Sequence, residues 1–205
     1  QIAHQAHLRK DAKTTSDSNA FAMVFVAIGV PYDSAELFRS AMEASGALEH
    51  TLLFLNLASD SSTQRLLCPR YALTAAEYLA FEQGKHVLVV MTDMTNYCEA
   101  LREVSASHGE IPSRKGFPGY MYSDLATLYE RAGGISTNDG GNGSLTMIGT
   151  VSPAGGNFED PVTQSTLGAV KCFLGLSSER AYKRFYPAID PLLSWSRYLD
   201  QIAPQ

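Results

Sequence analysis

The chain has 205 residues, 45% of them hydrophobic, enough for one large domain with a normal core and too apolar for wholesale disorder. Sixteen Lys and Arg against twenty-one Asp and Glu give a formal charge of −5 with no polybasic block, so a nucleic-acid surface is not the default expectation. The longest uncharged apolar run, Ala20 to Tyr32, has thirteen residues and includes Gly29 and Pro31. A membrane-crossing helix needs ~20, so the chain is not expected to cross a bilayer by itself.

In chain order, Gln1-Ile2-Ala3-His4-Gln5 leads into Arg9, Lys10, Asp11 and Lys13 without the apolar centre of a signal peptide. Gln1 is not an initiator Met, so the chain is expected to begin inside a longer protein or after processing. His4 and His7 stand three apart, on one face of a helix, but no carboxylate or Cys completes a metal site there, and an exposed helix face is the better reading.

Five short runs rich in Val, Ile, Leu and Phe have strand length: Phe21–Ile28, Thr51–Ala58, His86–Asp93, Ser144–Val151 and Ala169–Leu176. Most are nearly continuous, the pattern of strands buried on both faces. Helices are predicted between and after the first three. One begins at Asp33 or Ser34 and closes at Gly46; another runs from Thr74 to Glu82 and ends at Gly84; a third runs from about Thr95 to Val104. Strand–helix–strand alternation implies right-handed crossovers and a mainly parallel sheet. The fold class is therefore α/β, in a single domain over 1–205.

Beyond Val104 the texture changes. Residues 109–119 carry two prolines and three glycines, and read as an ordered loop or a mobile connection. Met121 to Ala132 reads as a helix with Leu125, Leu128 and Tyr129 facing the core. The Gly/Asn-rich stretch 133–143 is a hairpin tip, a linker or a splice point, and 152–161 forms a further loop.

Ligands of parallel α/β sheets gather beyond the carboxyl ends of the strands, and Asp93 ends the third run. A carboxylate there either holds Mg²⁺ against nucleotide phosphates or caps the following helix. No GxxxxGK[ST] occurs in these residues, and neither glycine-rich stretch follows a strand and opens a helix, so by itself the chain is expected to bind ATP weakly or not at all. Cys68, Cys98 and Cys172 form no CxxC pair, against a disulfide framework or zinc site. Cys98 has Arg102 one turn on but no neighbouring His, so it reads as a structural thiol. GxSxG and GxGxxG are absent.

Several long runs carry a family resemblance. Gly46-Ala47-Leu48-Glu49, Leu53-Phe54-Leu55-Asn56-Leu57-Ala58, the segment Pro69 to Ala80, Thr92 to Glu103, Gly119 to Thr127 and Tyr129 to Gly133 resemble the nucleotide-binding domain of the B subunit of V/A-type rotary ATPases, over about 1–134. From about 143 the chain looks instead like the catalytic A subunit, through Val151 to Gln164. Tyr186-Pro187-Ala188-Ile189-Asp190-Pro191-Leu192 is similar to catalytic-type subunits across rotary ATPases. A B-like front and an A-like back (144–205) joined at 133–143 imply a chimera, an engineered protein or a divergent member.

The resemblance implies a RecA-like core of the P-loop NTPase type without the phosphate loop itself, which would lie upstream of Gln1. It implies a non-catalytic head subunit in ATP-coupled proton or sodium transport, unlikely to hydrolyse ATP alone. The partners would be catalytic A subunits in an alternating hexameric head and central shaft subunits, with the cytoplasmic head peripheral to a membrane. ATP or ADP with Mg²⁺ would be the cofactor of the assembled complex. Where catalytic subunits carry Gly-Glu-Arg after the first strand, this chain has Gly29-Val30-Pro31, and Val30 cannot polarise water. Leu193-Ser194-Trp195-Ser196-Arg197-Tyr198 lines up with the Ser-x-Ser-Arg segment that reaches a neighbour's nucleotide, which makes Arg197 a candidate arginine finger. Asp93 is the candidate nucleotide and Mg²⁺ contact, and Glu110–Gly119 the candidate shaft-facing collar or hinge. Trp195 reads as a core or interface anchor. The competing readings are a structural or engineered chimeric domain that binds no nucleotide, and a self-sufficient ATPase, which the missing phosphate loop and Val30 oppose.

Overall fold

A computed structural model describes residues 3, 6, 20–136 and 142–202. His4, His7 and the centre of the Gly/Asn-rich stretch lie outside the described residues. The main sheet has five strands: β1 (Phe21–Val30), β2 (Thr51–Leu57), β3 (His86–Thr92), β4 (Gly133–Ser136) and β5 (Asn142–Gly149), in the order β2-β1-β3-β5-β4. Pairings β1 with β2, β1 with β3 and β3 with β5 are parallel; β4 runs antiparallel to β5. The α/β reading and its first four strands hold.

Helix α1 (Tyr32–Ala44) covers one face, and α2 (Ser62–Glu77), α3 (Met94–Ser107) and α4 (Met121–Tyr129) the other. Alternation along β1 serves both layers. Val24, Val26 and Ile28 meet Leu73 of α2, Tyr97 and Leu101 of α3 and Leu125 of α4, while Met23, Phe25 and Ala27 meet Ala35 and Met42 of α1.

Two expectations need correction. The helix predicted from Thr74 begins at Ser62, with a capping box in which Gln64 N–H donates to Ser61 Oγ and Ser61 N–H to Gln64 Oε1. Pro69, a helix breaker in sequence reasoning, lies inside it and is buried. From Tyr78 to Glu82 the helix widens into a π turn.

The run Ala169–Leu176 is not a strand of the main sheet. Ala169 ends α5 (Pro161–Ala169), and the run's one strand is β6 (Cys172–Phe173), pairing antiparallel with β7 (Trp195–Ser196) in a separate two-stranded ribbon, while Leu176 makes an isolated bridge to Ile189. The edge beside β5 is taken by β4, from the stretch whose composition suggested a tip or linker. Of those alternatives, the β4–β5 pairing answers to a hairpin. The short helices α6 (Ser178–Tyr182) and α7 (Leu199–Ile202) complete the tail. No helix of the described residues is long and apolar enough to cross a membrane.

Candidate functional site

The carboxyl ends of β1, β2 and β3 form a crest. At the end of β1, Gly29 adopts φ +62°, and the β1–β2 register shifts between Ala27 and Val30. A left-handed residue at such a bulge favours glycine. The bulge reverses the alternation: Val30, an even position like Ile28, is buried on the opposite face, with Ala35 and Met42.

A polar network fixes this turn. The Gly29 N–H donates to Asn56 Oδ1 at 3.0 Å, and Arg65 Nε donates to the same oxygen at 3.2 Å. Asn56 Nδ2 donates to Asp60 Oδ2 at 3.1 Å, and that oxygen also accepts from Leu57 N–H at 2.7 Å. The Arg65 guanidinium also donates to the carbonyls of Leu57, Ala58 and Asp60. From α3, Asn96 Nδ2 reaches the carbonyls of Ile28 at 2.9 Å and Gly29 at 3.2 Å. Asn56 is 3% exposed, and burial is tolerated because its amide is bonded. The functional reading of the sequence passed over Asn56, Arg65 and Asn96; the signal available was a lone Asn inside the apolar run Leu53–Ala58.

Asp93 follows β3 through a cis peptide and caps α3, its Oδ1 accepting from Thr95 N–H at 3.0 Å. The cap reading is therefore realised. Among the described residues Oδ2 has no hydrogen-bond partner, and the neighbouring Thr92 Oγ1 is buried without one. No group of three or more His, Cys, Asp or Glu side chains converges on a metal site among the described residues. These residues can offer one carboxylate oxygen to a Mg²⁺ ion whose other ligands are phosphate and water. They do not form a cage, and the sequence has no phosphate loop to complete one.

Arg197 lies elsewhere, on the ribbon of β6 and β7. Its backbone N–H donates to the Lys171 carbonyl at 2.9 Å, its Nη2 to the Gly168 carbonyl at 3.2 Å, and its guanidinium stands 5.8 Å from the Trp195 ring centroid. The side chain is exposed, and among the described residues it pairs with no carboxylate. Asp93 and Arg197 are thus not joined by any hydrogen bond or ion pair.

The 109–119 loop is tied down. Ser105 Oγ donates to Glu110 Oε2 at 2.7 Å, Pro112 and Pro118 bridge, Arg102 stands over the Phe117 ring at 5.4 Å, and Lys115 pairs with Asp160 at 3.0 Å. The hydrogen bonds from Ser105 and Tyr120 hold the Glu110 carboxyl below the usual carboxylate range. This answers to the ordered alternative. Two surface clefts among the described residues, of about 230 and 540 Å³, border this loop, and neither is lined by Asp93 or Arg197.

Behind the crest, Asp124 joins three helices. It accepts from Arg70 Nη2 on α2 and from the Tyr97 hydroxyl on α3, both at 2.6 Å. Burial and the Asp124 carboxylate push the Tyr97 phenol up. Burial works against the Arg70 charge, but Tyr97 and Asp124 more than compensate and raise its pKa. Cys98 is fully buried and inert, its thiol pushed up to about 12 by burial.

Comparison with known proteins adds an independent line. A model of the ATP synthase alpha/beta family, nucleotide-binding domain, matches residues 1–196. The chain is 47% identical over 201 residues to the B subunit of the V-type proton ATPase of Encephalitozoon cuniculi, 97% of this chain and 41% of that one. It is 46% identical over 194 residues to the V-type ATP synthase beta chain of Halothermothrix orenii and 45% to the B subunit of the A-type ATP synthase of Nitrosopumilus maritimus, each match covering 95% of this chain and 41% of the relative. A solved structure described as a unique ATP synthase subunit NeqB from Nanoarcheaum equitans superposes with a TM-score of 0.79 at 40% identity, over 87% of this chain and 44% of that one. The chain spans about two fifths of the length of the curated relatives it matches. All of these matches are long enough to run through 133–143, so relatives of one kind cover both sides of the stretch, and the idea of a chimera finds no support.

Proposed function

The chain belongs to the ATP synthase alpha/beta family, whose nucleotide-binding domain model it matches over residues 1–196, and from that premise we propose that it serves a V/A-type rotary ATPase as part of a non-catalytic, B-type head subunit. In this reading it completes a nucleotide site formed with a neighbouring catalytic subunit in an alternating head around a central shaft. Coupling to proton or sodium transport, a cytoplasmic location and attachment to a membrane through the assembled complex follow from membership of such a machine.

The observation that carries the reading is the state of Arg197: exposed, held against Trp195 and the Gly168 carbonyl, and without a carboxylate partner among the described residues. A guanidinium so held keeps its charge available for phosphoryl oxygens on another subunit, the role of an arginine finger. Val30 supports the non-catalytic assignment, because an apolar side chain buried against α1 cannot activate water. The tail around Arg197 also leaves Leu174, Leu176, Phe185, Tyr186, Leu192 and Trp195 exposed, in keeping with a subunit interface. Asp93 would offer its second carboxylate oxygen to a nucleotide-bound Mg²⁺ ion. That ion, when bound, neutralises phosphate charge. The tied 109–119 loop suits a rigid collar facing the shaft better than a hinge.

The test is Arg197→Ala in the assembled head. Hydrolysis should fall by ~10³-fold or more while the complex still assembles by native mass spectrometry. Undiminished turnover would remove the finger assignment.

A further inference from the structure

The crest contains a clamp whose purpose the finger does not explain. Gly29 is gripped from three sides: its N–H by Asn56, its carbonyl by Asn96, and its open face by Arg65. A Cβ at this position would stand 2.9 Å from Arg65 Nε and 3.1 Å from Asn96 Cβ, closer than ordinary contact allows. Asn56 holds the centre. Its Oδ1 accepts from Gly29 and Arg65, its Nδ2 donates to Asp60, and it is buried, so none of these bonds can be exchanged for water without opening the strand ends.

The clamp reaches beyond Gly29. Asn96 stands on the first turn of α3, the turn that Asp93 caps, and donates to both the Ile28 and Gly29 carbonyls. Arg65 stands one turn into α2 and donates to three carbonyls of the β2–α2 connection. The first turns of α2 and α3 and the ends of β1 and β2 therefore share one hydrogen-bonded network, and Asp93 sits at its border. Asn56 is buried and Arg65 and Asn96 are half-buried; committing a guanidinium and two amides to one turn is costly when a well-packed apolar residue would close it more cheaply.

We infer that Asn56 is a positioning residue: with Arg65 and Asn96 it sets the shape of the Gly29 turn and so the attitude of the Asp93 end of α3 toward the nucleotide interface. The interface half of this statement rests on the function proposed above; the clamp itself does not.

The experiment therefore has two arms, both using Asn56→Leu, which matches the side chain in size and removes its polar atoms, and Arg65→Lys, which keeps the charge but loses the fork. In the chain alone, amide hydrogen exchange at Gly29 should accelerate about tenfold or more, the worth of one buried hydrogen bond, while Val24 in the core stays protected. Unchanged Gly29 exchange in either folded variant overturns the clamp. In the assembled head, kcat should fall toward ~10²-fold with KM held within about twofold, as displacement of a reacting group by an ångström would produce. The double variant Asn56→Asp with Asp60→Asn, which keeps the acceptor for Gly29 and Arg65 and exchanges donor and acceptor in the bond between positions 56 and 60, should recover most of that loss. If Arg197→Ala abolishes turnover while Asn56→Leu and Arg65→Lys leave it intact, the positioning role fails and the proposed function stands. If Arg197→Ala is silent but Gly29 exchange accelerates, the function fails and the clamp stands.

Discussion

Val30 follows Ile28 by two positions and would share its face in a regular strand, yet the left-handed Gly29 turns it toward α1, among Met23, Phe25 and Met42. A single backbone torsion thus decides what the side chain at this position can do. Val30→Glu would bury a carboxylate without a partner and should destabilise the chain by roughly 3–5 kcal/mol while adding no hydrolysis; urea unfolding and a phosphate-release assay check both. The cysteines separate in the same way. Burial pushes Cys98 up to about 12; burial, with Asp60, pushes Cys68 up to about 11; Cys172 is exposed. At neutral pH a thiol reagent should label Cys172 first and Cys98 only on unfolding, as peptide mapping would read. The folded chain holds the Cys98 proton that the unfolded chain releases near 9. Stability from this source is complete below that pH and declines as pH climbs toward 12.

At the level of elements, the β4–β5 hairpin owes its place to one close approach. A Cβ on Gly143 would stand 1.7 Å from the Ala80 carbonyl oxygen, where α2 has widened into the π turn 78–82. Both partners are backbone, so neither can swing aside. Gly143→Ala should therefore cost at least about 1–3 kcal/mol through overpacking, measured as a lower urea midpoint with unchanged slope; a midpoint equal to the parent's would show that the hairpin can lift off α2. Helix α2 illustrates the opposite case. Pro69 removes one backbone donor and should interrupt the helix, but the capping box at Ser61 and burial of Ala72, Leu73 and Ala76 against the sheet hold sixteen residues in register. The 109–119 loop, glycine- and proline-rich, is ordered by near neighbours, through Ser105 and the Pro112–Pro118 bridge, and by one partner distant in sequence, Asp160.

For the molecule as a whole, the two candidate nucleotide contacts stand apart. Asp93 sits on the crest and Arg197 on the tail ribbon, and the two clefts beside the 109–119 loop are lined by neither. Such an arrangement is in keeping with the proposed role, in which the chain completes a neighbour's site. Isothermal titration of the 205-residue chain with Mg·ATP should show no micromolar binding, since these residues include no phosphate loop; a micromolar isotherm would mean that the crest binds phosphate in some other way.

By itself, the sequence determined the parallel α/β layout, because strands buried on both faces read as continuous apolar runs and their crossovers leave capped helices between them. It also pointed to Asp93 at a strand end and, through family resemblance, to Arg197. Tertiary structure alone decided the fifth strand: Gly133–Ser136 carries almost no apolar signal and pairs only because β5 offers an open edge, whereas the apolar run after Ala169 is drawn off by Trp195 into a ribbon of its own. It decided the clamp as well. Asn56, Arg65 and Asn96 follow no local periodicity, and only the convergence of two strand ends and two helix starts gathers them around one glycine, Asn56 and Asn96 bonded to it and Arg65 bonded to Asn56.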